Sequence, residues 1–185
     1  MKQTSTDLPG VLLLEPRVFG DDRGYFFESF NRNVFADAGL TVEFVQDNIS
    51  KSVGGVIRGL HLQNPNSQGK LITVLDGSVV DVAVDVRVGS PTFGRWVSFE
   101  LSSANKRHVY IPPGMAHGFA VTSDSAIFSY KCTTYYAPEH ELTIRWDDPD
   151  LAITWPVSSP VLSAKDRAGA LLADCPPDRL PQYVG

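Results

Sequence analysis

The run Leu71-Ile-Thr-Val-Leu75, Asp76-Gly77 and then Ser78 to Val86 constrains this chain more than any other feature. Two short apolar segments joined by Asp-Gly have the pattern of a tight hairpin, because both turn residues tolerate positive φ. Successive strand side chains point to opposite sides, so Val80, Val82, Val84 and Val86 share one face. Val79, Asp81, Ala83 and Asp85 share the other. Trp96 to Leu101 alternates in the same way, and Val109 to Ile111 is stopped by Pro112-Pro113. Phe119 to Val121 and Ala126 to Thr133 read as further strands. Turn signals at such short spacing fit an antiparallel barrel or sandwich.

Helices are few. Asn31 to Ala38 is expected as a short helix, with Asn31 as cap and Gly39 as stop. Ser163 caps a second expected helix that leads through Arg167 to Ala173, and the Pro-rich tail from Pro176 to Gly185 is expected to be irregular. The fold class is therefore all-β, a jelly-roll barrel with a few short peripheral helices and a cavity where strands converge. At 185 residues, with 43% hydrophobic and 20% charged residues and no linker or repeat, residues 1–185 read as a single domain. The net charge of −5 argues against bulk nucleic-acid binding. Cys132 and Cys175 do not make a disulfide framework. Met1 to Pro9 is polar and no apolar stretch approaches ~18 residues, so a cytoplasmic protein with no membrane contact is expected.

The chemistry-bearing residues fall in two segments. Val56-Ile-Arg-Gly-Leu-His-Leu-Gln63 is followed by Ile111-Pro-Pro-Gly-Met-Ala-His117-Gly-Phe. In metal-binding cupins the first segment carries His-x-His with a later Glu, and the second carries Pro-x-Gly-x-x-His. Here Pro112, Gly114 and His117 match, but Gln63 stands where the second His belongs, and Gln68-Gly69-Lys70 fills the place of the Glu. Lys repels a divalent cation and Gln is a poor ligand for zinc or iron, so no metal is expected. His61 is either a hydrogen-bonded core histidine or a general base, and a base needs a carboxylate to orient it. Asp166 is a candidate for that carboxylate, or merely an acid capping its helix. Lys70 is a solvated strand-start cation or a stabiliser of a developing oxyanion. Tyr130 shares a face with Phe128, as a core tyrosine or as a proton donor to the cavity. Arg17, Arg23 and Arg58 suit a diphosphate, or are surface charges.

In register with these segments lie Glu15-Pro-Arg-Val-Phe-Gly-Asp-Asp-Arg-Gly-Tyr-Phe-Phe-Glu-Ser, Phe44-Val-Gln-Asp-Asn-Ile-Ser and Gln68-Gly-Lys-Leu. Val82-Ala-Val-Asp-Val-Arg, Gly89-Ser-Pro-Thr-Phe-Gly, Tyr130-Lys-Cys-Thr, Tyr136-Ala-Pro-Glu-His-Glu and Leu162-Ser-Ala-Lys-Asp complete the set. From about residue 8 to about residue 167 the chain closely resembles the dTDP-4-dehydrorhamnose 3,5-epimerase family, with a C-terminal helix and tail over 163–185. The resemblance implies a cupin-type jelly roll acting as a homodimer on a dTDP-sugar, without metal or organic cofactor. It implies His61 as base oriented by Asp166, Tyr130 as acid on the opposite face of the sugar, and Lys70 beside the enolate. Arg23 and Arg58 would hold the diphosphate. Phe26, Glu28, Gln46, Asn48 and Tyr136 would surround the nucleoside, partly from the partner subunit. His117, Glu141 and Lys165 would complete the pocket. The implied reaction inverts C3 and C5 of dTDP-4-dehydro-6-deoxy-D-glucose and feeds dTDP-L-rhamnose synthesis. Alternatives are an epimerase of one carbon only, a non-catalytic sugar-nucleotide-binding cupin, and a metal-dependent oxygenase. Two residues depart from the common family pattern, Leu62 in place of Tyr and Thr134 in place of Asp.

Overall fold

The computed structural model describes residues 1–184. The N-terminal part holds β1 (Lys2–Ser5), β2 (Leu12–Glu15), β3 (Val18–Asp21), β4 (Gly24–Phe27), helix α1 (Arg32–Asp37) and β5 (Gln46–Val53). Then follow β6 (Ile57–Gln63), β7 (Lys70–Asp76), β8 (Ser78–Asp85), β9 (Trp96–Ser102), β10 (His108–Ile111), β11 (Met115–Val121) and β12 (Ser125–Cys132). The C-terminal part adds β13 (Glu141–Thr143) and helix α2 (Ala164–Arg167). One sheet has six strands in the order β1-β2-β10-β7-β12-β5, the other five in the order β13-β6-β11-β8-β9, and β3 and β4 form a separate hairpin. Pairing within each sheet is antiparallel. The sheets stack as a jelly roll.

The expected hairpin at Asp76-Gly77 does not form. β7 pairs with β10 and β12, whereas β8 pairs with β11 and β9, so the turn carries the chain from one sheet to the other. The turn chemistry itself holds, because Gly77 has φ +75° and an added Cβ would lie 2.0 Å from the Ser125 carbonyl oxygen. Both faces of β8 are covered. Val79 and Ala83 face the core between the sheets, beside Ile72, Val109, Phe119 and Phe128. Val82, Val84 and Val86 on the reverse face are buried as well, under Ile144, Leu151, Leu172, Cys175 and Leu180. The C-terminal segment is thus a second apolar layer on the five-stranded sheet.

Helix α1 begins as expected, with Asn31 Oδ1 accepting the N–H groups of Asn33 and Val34. Its Phe35 covers Leu14, Leu71 and Tyr110 on the outer face of the six-stranded sheet. The second helix is shorter than expected. Ser163 caps it, but it ends at Arg167, and Ala170 bridges to Ile144. The tail past Pro176 is irregular yet anchored, with Leu180 buried and Gln182 bridged to Val88. Among the described residues, no helix is long and apolar enough to cross a membrane.

Candidate active site

Arg58 and His61 are an odd number of residues apart on β6, yet both line the same cavity of about 380 Å³. Regular alternation would put them on opposite faces. The register between β6 and β11 shifts, His117 pairing with His61 and Phe119 with Arg58, so three steps on β6 match two on β11. Gly59 sits at this bulge with φ +133°, and an added Cβ would lie 2.5 Å from Gly118 Cα. The bulge turns both side chains inward. Arg58 is steadied by Nε donating to Ser52 Oγ at 3.0 Å.

His61 Nε2 lies 2.6 Å from Asp166 Oδ1. Asp166 is buried, and its other oxygen accepts from Ser163 Oγ at 2.7 Å. Burial alone would raise its pKa, but bonds from His61 and Ser163 prevail and hold the carboxylate below its ordinary range. The capping role survives too, since the Asp166 N–H donates to Ser163 Oγ at 3.1 Å. A carboxylate on Nε2 fixes that nitrogen as donor and leaves Nδ1 to take a proton.

Lys70 opens β7 opposite Cys132 and brings its ammonium 6.0 Å from the centre of the Tyr130 ring. Burial pushes its pKa down, against the opposing pull of the Asp81 and Glu141 carboxylates. It has no ion-pair partner among the described residues. Burial raises the Tyr130 phenol, which keeps it protonated. Tyr130 pairs across the strand with Asn48 and tilts against Phe128 at 6.0 Å. His117 Nε2 lies 2.8 Å from Asp81 Oδ2. Burial lowers the pKa of His117 despite that carboxylate, and Asp81 Oδ1 has no partner.

The mouth carries Gln46, Asn48, Tyr136, Glu141 and Lys165. Lys165 Nζ lies 2.8 Å from one Glu141 oxygen and the Tyr136 hydroxyl donates to the other at 3.1 Å. Burial would raise Glu141, but the bond from Lys165 outweighs it and the carboxyl stays below its usual range. One chain therefore gathers His61, Lys70, Tyr130, Asp166, Arg58, His117, Gln46, Asn48, Tyr136, Glu141 and Lys165 at one place. Arg23, Phe26 and Glu28 lie elsewhere. Arg23 and Phe26 belong to the exposed β3–β4 hairpin, and Glu28 accepts from Asn31 beside α1.

Sequence reasoning missed Asp81, Ser163, Phe119 and Phe128. Asp81 carried a signal, an acid flanked by Val79 and Ala83 in a strand rich in valine. Gln63, at the second metal-ligand position of related barrels, turns away from the cavity into a loop network. Among the described residues, no group of three or more His, Cys, Asp or Glu is placed to hold a metal ion.

Comparison with known proteins agrees with this geometry. A family model described as dTDP-4-dehydrorhamnose 3,5-epimerase matches residues 5–174. The dTDP-4-dehydrorhamnose 3,5-epimerase of Pseudomonas aeruginosa is 57% identical over 176 residues, covering 94% of this chain and 97% of that protein. Among solved structures, the dTDP-6-deoxy-D-glucose-3,5-epimerase of Legionella pneumophila Philadelphia 1, in complex with dTDP-4-keto-L-rhamnose, superposes with TM-score 0.97 at 49% identity, covering 100% and 99% of the two chains. A 3'-monoepimerase from Streptomyces bikiniensis, in complex with dTDP-quinovose, superposes with TM-score 0.85 at 36% identity, covering 91% and 86%.

Proposed function

The chain belongs to the dTDP-4-dehydrorhamnose 3,5-epimerase family, and on that premise we propose how its cavity performs the reaction. The enzyme epimerises C3 and C5 of dTDP-4-dehydro-6-deoxy-D-glucose, giving dTDP-4-dehydro-L-rhamnose. The observation that carries the residue assignment is the convergence of a His–Asp pair, an unpaired ammonium and a buried phenol on one cavity.

The C4 ketone acidifies the hydrogens on C3 and C5. His61 removes one as a proton, with Asp166 holding the ring and stabilising the imidazolium. The electrons of the broken C–H bond move to the C4 oxygen, and the resulting enolate lies against Lys70. Removing one such donor typically costs a factor of ~10²–10³ in rate. Tyr130 returns a proton to the opposite face of the same carbon, which inverts it. Solvent returns a proton to Tyr130 and takes away the one gained by His61, and the cycle repeats at the second carbon. Arg58 suits the diphosphate, with its forked donors already steadied by Ser52. Gln46, Asn48 and Tyr136 at the mouth suit the nucleoside, and His117, Glu141 and Lys165 complete the sugar pocket.

The remaining site residues support the reading of a homodimer. Arg23, Phe26 and Glu28 lie outside this chain's own cavity, and Phe26 and Tyr25 are 65% and 58% exposed. An apolar hairpin rimmed by charge suits burial against a second copy, where it would reach the partner's nucleoside pocket.

The deciding experiment is turnover in D₂O. Deuterium at both C3 and C5 of the product is expected. Label at one carbon only would reassign the chain as a single-carbon epimerase. Tight dTDP binding without any exchange would make it a binding protein.

A further inference from the structure

We propose that Gln63 is a positioning residue that fixes Tyr136 across the mouth of the cavity, so that it sets affinity for the nucleotide without touching it. The inference rests on the nucleoside role read above for Tyr136. Gln63 is buried on β6, two residues beyond His61. Its Nε2 donates to the carbonyl oxygens of Asn66 at 2.6 Å and Tyr135 at 3.0 Å, which uses both amide hydrogens. Its Oε1 accepts the Ala137 N–H at 3.2 Å. The peptide groups on either side of Tyr136 are therefore held by one side chain. The Tyr136 N–H donates to Gln46 Oε1 at 2.9 Å, and its hydroxyl to Glu141. The N–H and the hydroxyl of the tyrosine are both tied, and the strand that carries His61 supplies the tie to its two flanking peptides.

Only an uncharged amide satisfies this set. A carboxylate would face two carbonyl oxygens with no hydrogen to offer, and an imidazole cannot donate twice and accept once. The position that bears a metal ligand in related barrels here does loop-positioning work instead.

The test is Gln63→Glu in the full chain, with turnover of dTDP-4-dehydro-6-deoxy-D-glucose and calorimetric titration with dTDP. Base–aromatic stacking predicts that KM and the dTDP Kd each rise about tenfold while kcat changes little. In a Tyr136→Ala background Gln63→Glu should weaken dTDP binding no further. An unchanged Kd, or an equal further loss in that background, overturns the proposal whatever happens to thermal stability. Should Gln63→Glu not fold, Gln63→Met, similar in length without the polar head, is measured with the same outcomes. Wild-type protein that binds dTDP but gives no turnover would defeat the epimerase reading, and the dTDP arm would still decide the role of Gln63.

Discussion

The cavity and the β3–β4 hairpin are built on opposite principles. The cavity side chains come from β5, β6, β7, β11, β12 and the C-terminal segment, and the pairs His61–Asp166, His117–Asp81 and Lys165–Glu141 each join distant parts of the chain. His61 and Asp166 meet across 105 residues. In the hairpin, Arg23 is held only by Asp21, two residues away, and its side chain is 90% exposed. Placement by the scaffold suits groups that must meet a reacting carbon within tenths of an ångström. Placement by local contacts alone suits groups completed by another surface.

That contrast yields an ordered set of outcomes. His61→Ala removes the base, so both epimerisation and deuterium exchange at C3 and C5 should fall by about 10³-fold or more. Exchange that survived His61→Ala would move the base elsewhere in the cavity. Lys70→Met removes the charge but keeps the stem, and kcat should drop ~10²–10³-fold with KM nearly unchanged. Tyr130→Phe should lose product yet keep measurable exchange at C3, because the enolate still forms and reprotonates from the side it came from. Wild-type product formation by this variant would return Tyr130 to an ordinary core tyrosine.

The hairpin side of the comparison is expected to show in binding. Arg23→Ala should raise KM about tenfold at nearly constant kcat, as for a residue that grips a diphosphate in ground and transition states alike. Light scattering should report a dimer, and a fully active monomer near 20.2 kDa would break the reading that the hairpin serves a second copy.

The smallest expected effect on turnover comes from His108. It is buried within 6.1 Å of Phe27 and 5.9 Å of Phe35, and its Nε2 has no partner. Burial drives its pKa from 6.5 to about 4, opposed by a backbone bond at Ile72. The folded state thus prefers the neutral ring. As pH falls below 6.5 the unfolded chain takes up a proton that the folded chain refuses, so stability is lost until about pH 4. The full loss is on the order of 3 kcal/mol. Urea unfolding at pH 7 and pH 4.5 should show a smaller pH difference in His108→Leu than in wild type, with kcat at pH 7 unaltered. Equal differences would mean that other groups carry the acid sensitivity.

Much of this was legible in the sequence. Alternation gave the strand runs of the middle of the chain, and Asn31 gave α1. What alternation cannot give is partnership. Asp76-Gly77 has hairpin chemistry, yet whether its arms pair or part depends on strands distant in sequence, such as that of Cys132, which lies opposite Lys70 across 62 residues. Nor could alternation say what covers the valine face of β8, because that layer comes from Ile144 to Leu180. In the site, family resemblance named the residues on the cavity wall. It was silent on Asp81 and on the loop ties of Gln63, because both act through another side chain or the backbone rather than through a motif.

The C-terminal layer has a consequence for how the protein comes into being. Asp166 follows His61 by 105 residues, and the cover of the five-stranded sheet is drawn from the same part of the chain, Ile144 to Leu180. A chain cut before Ser163 would have an unoriented histidine and would lose the Leu172, Cys175 and Leu180 part of the cover on Leu60, Leu62, Val82 and Val84. Such a chain would be both inert and adhesive. Arrival of this segment thus acts as a licence, delivering the oriented histidine and the apolar cover together.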